Sequence, residues 1–283
     1  MLQMKKEILF QEEFIFDTLK IITTSDHILE SQCSHDFNNS DNGTCQVCKY
    51  NTGLNLPQLP DMIYPNNCLS VSFVNNENYC LNFNPFDALK MVDANNLPGI
   101  KVAPSSTWQK SKEALGLLKE PAKPFDWTFT SEYEGTSKGF KIEPTDERID
   151  MEKLKSREPI HFYSQIVLYE DELADHGCSQ MTVRVRVMPN FFFLLARFYL
   201  RVDEVIVRIC DTRVFGERGS HYILREWTER ESMYTNLESQ VMALENVLDP
   251  NVVWQYLPVV KLHSTKLLLP TVVMTSPLLE SCN

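Results

Sequence analysis

Three groups of residues in this 283-residue chain have the types and spacing to do chemistry. The first is Cys33-x-His35 followed by Cys45-x-x-Cys48. Zinc takes four tetrahedral nitrogen or sulfur ligands, and a C-x-x-C step lets two thiolates reach one ion. The set fits a structural zinc or, with an open position, a metal-dependent enzyme. It fits equally an insertion with incidental cysteines. The second group is Glu170-Asp171-Glu172 with Asp175-His176-Gly177, where carboxylates and an imidazole could bind a divalent cation or exchange protons. The plainer alternative is a solvated strand end and a turn supplied by Gly177. The third is a run of nine arginines, at 184, 186, 197, 201, 208, 213, 218, 225 and 230. Residues 181–230 hold six acids and no lysine, so a net +3 stretch sits inside a chain of net charge −11. The planar guanidinium fork suits bidentate capture of a carboxylate or phosphate and stacking on aromatic rings. For any one arginine the simpler expectation is pairing with the chain's own surplus carboxylates. For the set, it is a surface that receives an acidic peptide or a chain terminus.

Composition narrows the field. Overall acidity argues against a nucleic-acid binder, whose affinity rests on neutralising phosphates. Nine glycines form no G-x-G-x-x-G or Walker A arrangement, and G-x-S-x-G and H-E-x-x-H do not occur. The uncharged runs Met62–Asn76, of 15 residues, and Leu267–Leu279, of 13 with two prolines, are too short for a span of roughly 18 or more. The N-terminal stretch carries Lys5, Lys6, Glu7, Glu12 and Glu13, which leaves no uncharged core for a secretion signal. The expectation is a soluble intracellular protein with reduced cysteines, no membrane and no nucleic-acid partner.

These residues need elements to hold them. Glu13–Thr24 alternates as a strand. Ser31–Pro60, punctuated by Ser, Asn, Asp, Gly and Pro, reads as a long polar loop. Leu69/Val71/Phe73 and Tyr79/Leu81/Phe83 flank Asn75–Asn78 as a hairpin. Asn84-Pro85-Phe86-Asp87 opens a helix, with Asn84 as cap, Pro85 at the first position and Asp87 in the first turn. Residues 104–124 read as a loose, proline-rich connection, and Phe125–Tyr133 as a strand. Asp150–Arg157 reads as a helix capped by Asp150, and Gln165–Glu172 and Met181–Met188 as strands. Phe191–Cys210 fits a hairpin better than one buried helix, because Asp203-Glu204 interrupts it and Val205–Ile209 is β-branched. Phe192, Leu194, Phe198 and Leu200 then fill a buried face, opposite Arg197, Tyr199 and Arg201. Leu237, Val241, Leu244 and Leu248 mark an amphipathic helix capped by Asn236 and ended before Pro250. Strands outnumber helices and adjoin one another, so the class is α+β.

At the arginine stretch the chain resembles the TOR signalling pathway regulator-like (TIPRL) family. The carrying residues are Val187-Met188-Pro189, the run Phe191–Asp203 and Arg208-Ile209-Cys210-Asp211-Thr212-Arg213. Supporting segments are Asn84–Leu89, Lys123–Thr128, Ile149–Lys155, Glu170–Leu173 with Asp175-His176-Gly177, and Gln255-Tyr256-Leu257-Pro258. The resemblance reaches about residue 270, and implies one compact domain over 1–283 with layered, mostly antiparallel sheets, flanking helices and a peptide-binding cleft. In that domain 31–60 is an insertion and 271–283 a flexible tail. It implies a non-catalytic, cofactor-free cytoplasmic regulator that binds catalytic subunits of type 2A-like Ser/Thr phosphatases (2A, 4 and 6 types), including their C-terminal tail. An alpha-four-type associated subunit is a further partner it suggests. It places partner binding at Asp87, Ile149, Asp211 and the segment Arg186–Val207. Together with the residues' own chemistry, the expected contacts are Asp87, Ile149, Arg186, Met188, Arg197, Tyr199, Arg201, Arg208, Asp211 and Arg213, with the arginines exposed. Three positions depart from the family's pattern: Ile209 for Met, Cys210 for Asn, and Glu204 for the Gly of the hairpin turn.

Overall fold

Two antiparallel sheets share one hydrophobic core in this computed structural model, which describes residues 10–30, 33, 45–54, 56, 58–74, 76–92, 128–173, 175, 177–237 and 248–270. In chain order the strands are β1 (Phe10–Phe16), β2 (Leu19–Ser25), β3 (Met62–Ile63), β4 (Cys68–Phe73), β5 (Asn76–Phe83), β6 (Thr136–Lys138) and β7 (Lys141–Thr145). There follow β8 (Phe162–Asp171), β9 (Gly177–Val187), β10 (Phe191–Val202), β11 (Ile206–Glu217), β12 (Tyr222–Met233) and β13 (Val259–Leu268). The smaller sheet runs β1-β2-β4-β5-β6 and the larger β3-β8-β9-β10-β11-β12-β13-β7. Among the described residues, four short helices flank them: α1 (Gln46–Gly53), α2 (Pro85–Lys90), α3 (Met151–Leu154) and α4 (Pro250–Val253), the last continued by a 3-10 turn over Trp254–Tyr256. The architecture is the layered α+β domain expected.

The period-2 alternation of the large sheet decides what lies where. Val183, Val185 and Val187 of β9 point inward with Phe192, Leu194, Phe198 and Leu200 of β10, and pack against Ile21, Leu69, Val71 and Leu81 of the small sheet. Each such side chain contributes about 1.5–3 kcal/mol when fully buried. The β10–β11 hairpin forms as expected, with Val202 opposite Ile206 across a three-residue turn. In that turn Glu204 adopts φ +61°, the left-handed conformation for which glycine is the ordinary residue. At the opposite partner of this hairpin end, Gly177 opens β9 rather than forming the turn itself. A Cβ there would lie 2.0 Å from the carbonyl oxygen of Arg201.

Several elements differ from the sequence expectation. Glu13–Thr24 is a hairpin rather than one strand, because Phe16 pairs with Leu19 and Asp17 turns the chain at φ +56°. The polar stretch 31–60 contains α1, whose Tyr50 is buried against Phe86 at 5.3 Å between ring centroids. Residues 128–133 form no strand: Phe129 takes φ +53° and breaks the extended run. Its backbone is satisfied by side chains instead, Tyr169 Oη donating to the Phe129 carbonyl and Ser179 Oγ to that of Thr128. The Asp150-capped helix stops at Leu154. Leu248, at the end of the expected amphipathic helix, is helical and the helix breaks at Asp249, and Pro250 then begins a further helix with Asp249 as cap, in keeping with proline's fit to the first helical turn. The 104–124 connection, the centre of the amphipathic helix at 238–247, residues 125–127 and the 271–283 tail lie outside the described residues.

Candidate functional site

The outer face of the large sheet carries the arginines. On β9 and β10, Arg184 stands opposite Leu195 and Arg186 opposite Phe193; on β11, Arg213 stands opposite Leu195 and Asp211 opposite Arg197. Alternation therefore gathers side chains from three strands into one patch. Two small apolar clusters border it. One joins Ile149, Leu154, Met188, Phe191, Phe215 and Leu224, and seats α3. The other joins Tyr199, Val207, Ile209, Leu237, Val253 and Leu257, and seats α4. Between these walls lies a groove of about 310 Å³ lined by Lys155, Arg184, Arg186, Arg197 and Arg213 together with Phe193, Leu195, Asn251 and Trp254. No acid lines it.

Its floor is an ionic network. Arg197 donates to both oxygens of Asp211, Nε to Oδ1 at 2.7 Å and Nη2 to Oδ2 at 2.8 Å, while Nη1 donates to the Pro250 carbonyl at 3.0 Å and to Asn251 Oδ1 at 3.1 Å. Arg213 Nη2 donates to Asp211 Oδ2 at 3.2 Å, and Nη1 to Glu226 Oε1 at 3.3 Å. Arg148 completes the chain by donating to Glu226 Oε2 at 2.7 Å. Asp211 is fully buried. Burial alone would raise its carboxyl, but the charges and hydrogen bonds of Arg197 and Arg213 override that and hold it below the usual carboxylate range. The Trp254 ring receives guanidinium groups of Arg213 and Arg230, at 4.9 and 4.4 Å from its centroid.

Arg184 and Arg186 differ from this pair. Among the described residues neither has a carboxylate within 4.0 Å. Arg184 Nη2 donates to Asn251 Oδ1 at 3.0 Å, and Arg186 Nη2 to the Leu154 carbonyl at 2.9 Å. Arg186 also lies 5.5 Å over the Phe193 ring, with its Nε buried and unpartnered. Burial, with Arg197 close by, lowers the pKa of the Arg184 guanidinium. Among the described residues the groove thus presents two cations whose hydrogen bonds go to neutral acceptors, beside apolar and aromatic surface. It can take an extended anionic segment with apolar side chains.

The expected contact residues divide among different places. Arg186, Arg197 and Arg213 line the groove and Asp211 lies beneath it. Arg197 and Arg213 are nearly buried, not exposed, because Asp211 and Glu226 draw them onto the sheet. Met188 and Ile149 are buried in the cluster under α3, and Tyr199 in the one under α4, where burial pushes its phenol up. Arg201 and Arg208 also fail the expectation of exposure: Arg201 pairs with Asp203 at 2.8 Å, and Arg208 pairs with Glu231 and approaches Glu229. Asp87 sits in the first turn of α2, after β5 of the small sheet, accepting from Asn84 Nδ2 at 2.8 Å and Thr136 Oγ1 at 2.6 Å. Asn251 and Trp254 were outside the expected set, Phe193 and Leu195 were covered only by the segment Arg186–Val207, and Arg184 was named only within the arginine run. Arg184 could have been found two residues before Arg186 on the same strand face. Trp254 and Asn251 had no such signal.

The acidic cluster does not converge. Asp171 accepts from the backbone N–H groups of Asp61 and Leu173, and Glu170 from Gln180, while His176 lies outside the described residues. Cys33, Cys45 and Cys48 do come together, with their sulfurs within 4.8 Å of one another; His35 lies outside the described residues. No described helix is long and apolar enough to cross a membrane.

The family comparison agrees with the resemblance at the arginine stretch. Residues 62–238, which span the whole groove except α4 and its 3-10 turn, match the model of the TIP41-like family. A "TIP41-like protein" of Caenorhabditis elegans is 45% identical over 254 residues, 89% of each chain. One of Homo sapiens is 38% identical over 270 residues, 94% of this chain and 92% of that one. A Saccharomyces cerevisiae protein named "Type 2A phosphatase activator TIP41" is 33% identical over 201 residues, 63% of this chain and 54% of that one. By sequence over most of its length, and by the same segments that build the groove, this chain belongs to the TIP41-like family.

Proposed function

We propose that this protein is a non-catalytic regulator of type 2A-like Ser/Thr phosphatases, and that its outer-sheet groove receives an acidic, apolar-containing segment of the phosphatase catalytic subunit, its C-terminal tail included. The observation that carries this reading is the pair Arg184 and Arg186, cations without a carboxylate partner among the described residues, beside Phe193, Leu195 and Trp254. The yeast relatives named as type 2A phosphatase activators give the partner class. The 2A, 4 and 6 types of catalytic subunit, an alpha-four-type companion, a cytoplasmic setting and a link to TOR signalling belong to the same proposal. The chemistry of this reading is electrostatic and steric: guanidinium forks hold carboxylates, the rings hold aliphatic or aromatic side chains, and the tail is restrained.

The test is a pull-down of phosphatase catalytic subunits with Arg184→Glu/Arg186→Glu. These positions are chosen because their loss breaks no internal ion pair among the described residues, whereas Arg197→Glu would place a carboxylate against buried Asp211. Binding by the wild type and at least tenfold weaker binding by the double variant, with unchanged circular dichroism, is the expected result; a tenfold loss corresponds to about 1.4 kcal/mol. Undiminished binding removes the groove from the mechanism. Absence of binding by the wild type removes the phosphatase reading. Whether activity rises or falls on binding is read from the same complexes with a phosphopeptide substrate.

A further inference from the structure

The polar stretch 31–60 holds a second arrangement, remote in chemistry from the groove. Cys45 is the N-cap of α1 and Cys48 lies in its first turn, while Cys33 comes from the segment that follows β2. Cys33 Sγ lies 3.3 Å from both Cys45 Sγ and Cys48 Sγ. A disulfide needs about 2.05 Å and can join only two sulfurs, so it does not account for three that converge. All three are free thiols. Hydrophobic packing does not account for them either, since Cys33 is exposed and the other two are only half-buried.

Metal coordination accounts for the placement. Zinc–sulfur bonds of about 2.3 Å in a tetrahedron set sulfurs roughly 3.8 Å apart, within reach of this cluster. The C-x-x-C turn supplies an oriented second contact as well: the Cys48 backbone N–H donates to Cys45 Sγ at 3.3 Å, the kind of outer hydrogen bond that fixes a ligating sulfur. Soft thiolates select zinc, copper(I) or iron–sulfur clusters, and an iron–sulfur cluster ordinarily asks for four cysteines. The site also has a mechanical reason. Apart from Val47, Cys48 and Tyr50, with Leu54 as its C-cap, α1 is polar, and it is held by the Tyr50–Phe86 ring contact and Lys49 over the same Phe86 ring at 4.9 Å. A short helix with so little apolar surface is marginal without a further tie.

We propose that Cys33, Cys45 and Cys48 bind one zinc ion through their thiolates, as a structural site that fastens the chain leaving β2 to the N-terminus of α1. Each thiol gives its proton to solvent as the Zn–S bond forms, so binding is accompanied by acid release. The fourth ligand is not assigned.

The test uses the full, untagged chain purified without chelators and dialysed exhaustively. Elemental analysis is expected to find about one zinc per chain, falling to background in Cys33→Ser/Cys48→Ser. Cobalt(II) exchanged into the wild type should give thiolate-to-metal charge transfer and the intense visible bands of a tetrahedral centre, absent from the double variant. A strong chelator should lower the Tm of the wild type and leave that of the double variant unchanged. The wild-type measurements stand even if the variant fails to fold. Wild-type protein with far less than one metal per chain, stoichiometric copper or iron in place of zinc, zinc retained in full by the folded double variant, or a wild-type Tm indifferent to the chelator would each overturn the proposal.

Discussion

Arg197 and Asp211 face each other across the β10–β11 ladder and close a two-point fork, Nε to Oδ1 and Nη2 to Oδ2, on a carboxylate with no solvent exposure. Arg213 reaches the same carboxylate from its own strand, so one negative charge holds two guanidinium groups in the floor of the groove. Removing that charge leaves both cations close together and poorly compensated.

Asp211→Ala is therefore expected to destabilise the fold by about 3–5 kcal/mol, the usual cost of breaking a buried pair from one side. Urea unfolding monitored by tryptophan fluorescence measures it. A loss below about 1 kcal/mol, the range of exposed pairs, would show that water or backbone compensates the guanidinium groups.

The same carboxylate sets an acid limit. Its folded pKa is depressed, so its contribution is fully present above the unfolded carboxylate value of about 3.9 and is lost as pH falls through the lower folded value. Wild-type stability should fall from about pH 4 downward, and Asp211→Asn should be less stable near neutrality and show a flatter fall. Thermal melts at a series of pH values compare the two; parallel curves would assign the acid limit to other groups.

Glu204 occupies a left-handed turn position at φ +61°. Relief of that conformation by Glu204→Gly, set against glycine's greater unfolded-state freedom, should stabilise the protein by about 0.5–1 kcal/mol. A shift of the urea midpoint at constant slope is the readout. An unchanged or lower midpoint would mean the Glu204 side chain contributes more than the turn costs.

Gly177 has the opposite logic, since a Cβ would meet the Arg201 carbonyl at 2.0 Å. Gly177→Ala should push β9 from β10 at this end and cost about 2–3 kcal/mol, as overpacking does. Hydrogen exchange should speed up near 177–179 and 200–202 before it does so at the centre of the strands.

Trp254 backs the groove by receiving Arg213 and Arg230 on its ring. If the groove is the phosphatase contact, Trp254→Ala should weaken binding of an acidic tail peptide about fivefold or more, near 1 kcal/mol. Binding should also weaken with added salt. Calorimetric titration at two salt concentrations reads both effects.

Much of this architecture was legible in the residues because β-strand chemistry has a period of two. Val183/Val185/Val187 against Arg184/Arg186, and Phe192/Leu194/Phe198/Leu200 against Arg197/Tyr199/Arg201, separate core from outer face by counting alone. Caps at Asn84 and Asp150 were legible because the side chain that satisfies the first helical N–H groups lies next to them in sequence. What counting could not supply was compensation between strands. Arg197 and Asp211 are 14 residues apart, and only the ladder register sets them opposite each other, so arginines expected to be exposed are instead held down by acids. Asn251 enters the groove from a four-residue helix, and Trp254 from the 3-10 turn after it, with no periodicity to announce either. The strand expected at 125–133 failed where described for a related reason: Phe129 is placed by the core around it, its carbonyl accepts from Tyr169 of β8, and the Thr128 carbonyl accepts from Ser179 of β9.

The ionic floor has one further consequence. Arg197 and Arg213 are immobilised by Asp211, Glu226, Asn251 and the Pro250 carbonyl whatever the groove contains. Ordinarily a flexible arginine loses about 2 kcal/mol of rotamer entropy when it closes on an anion. If the groove takes the proposed segment, that ordering at Arg197 and Arg213 has already been done by folding, so much of the ordering cost of association falls on the guest. A guest that arrives pre-shaped, by cyclisation or by being part of a rigid loop, would gain the most from such a receptor.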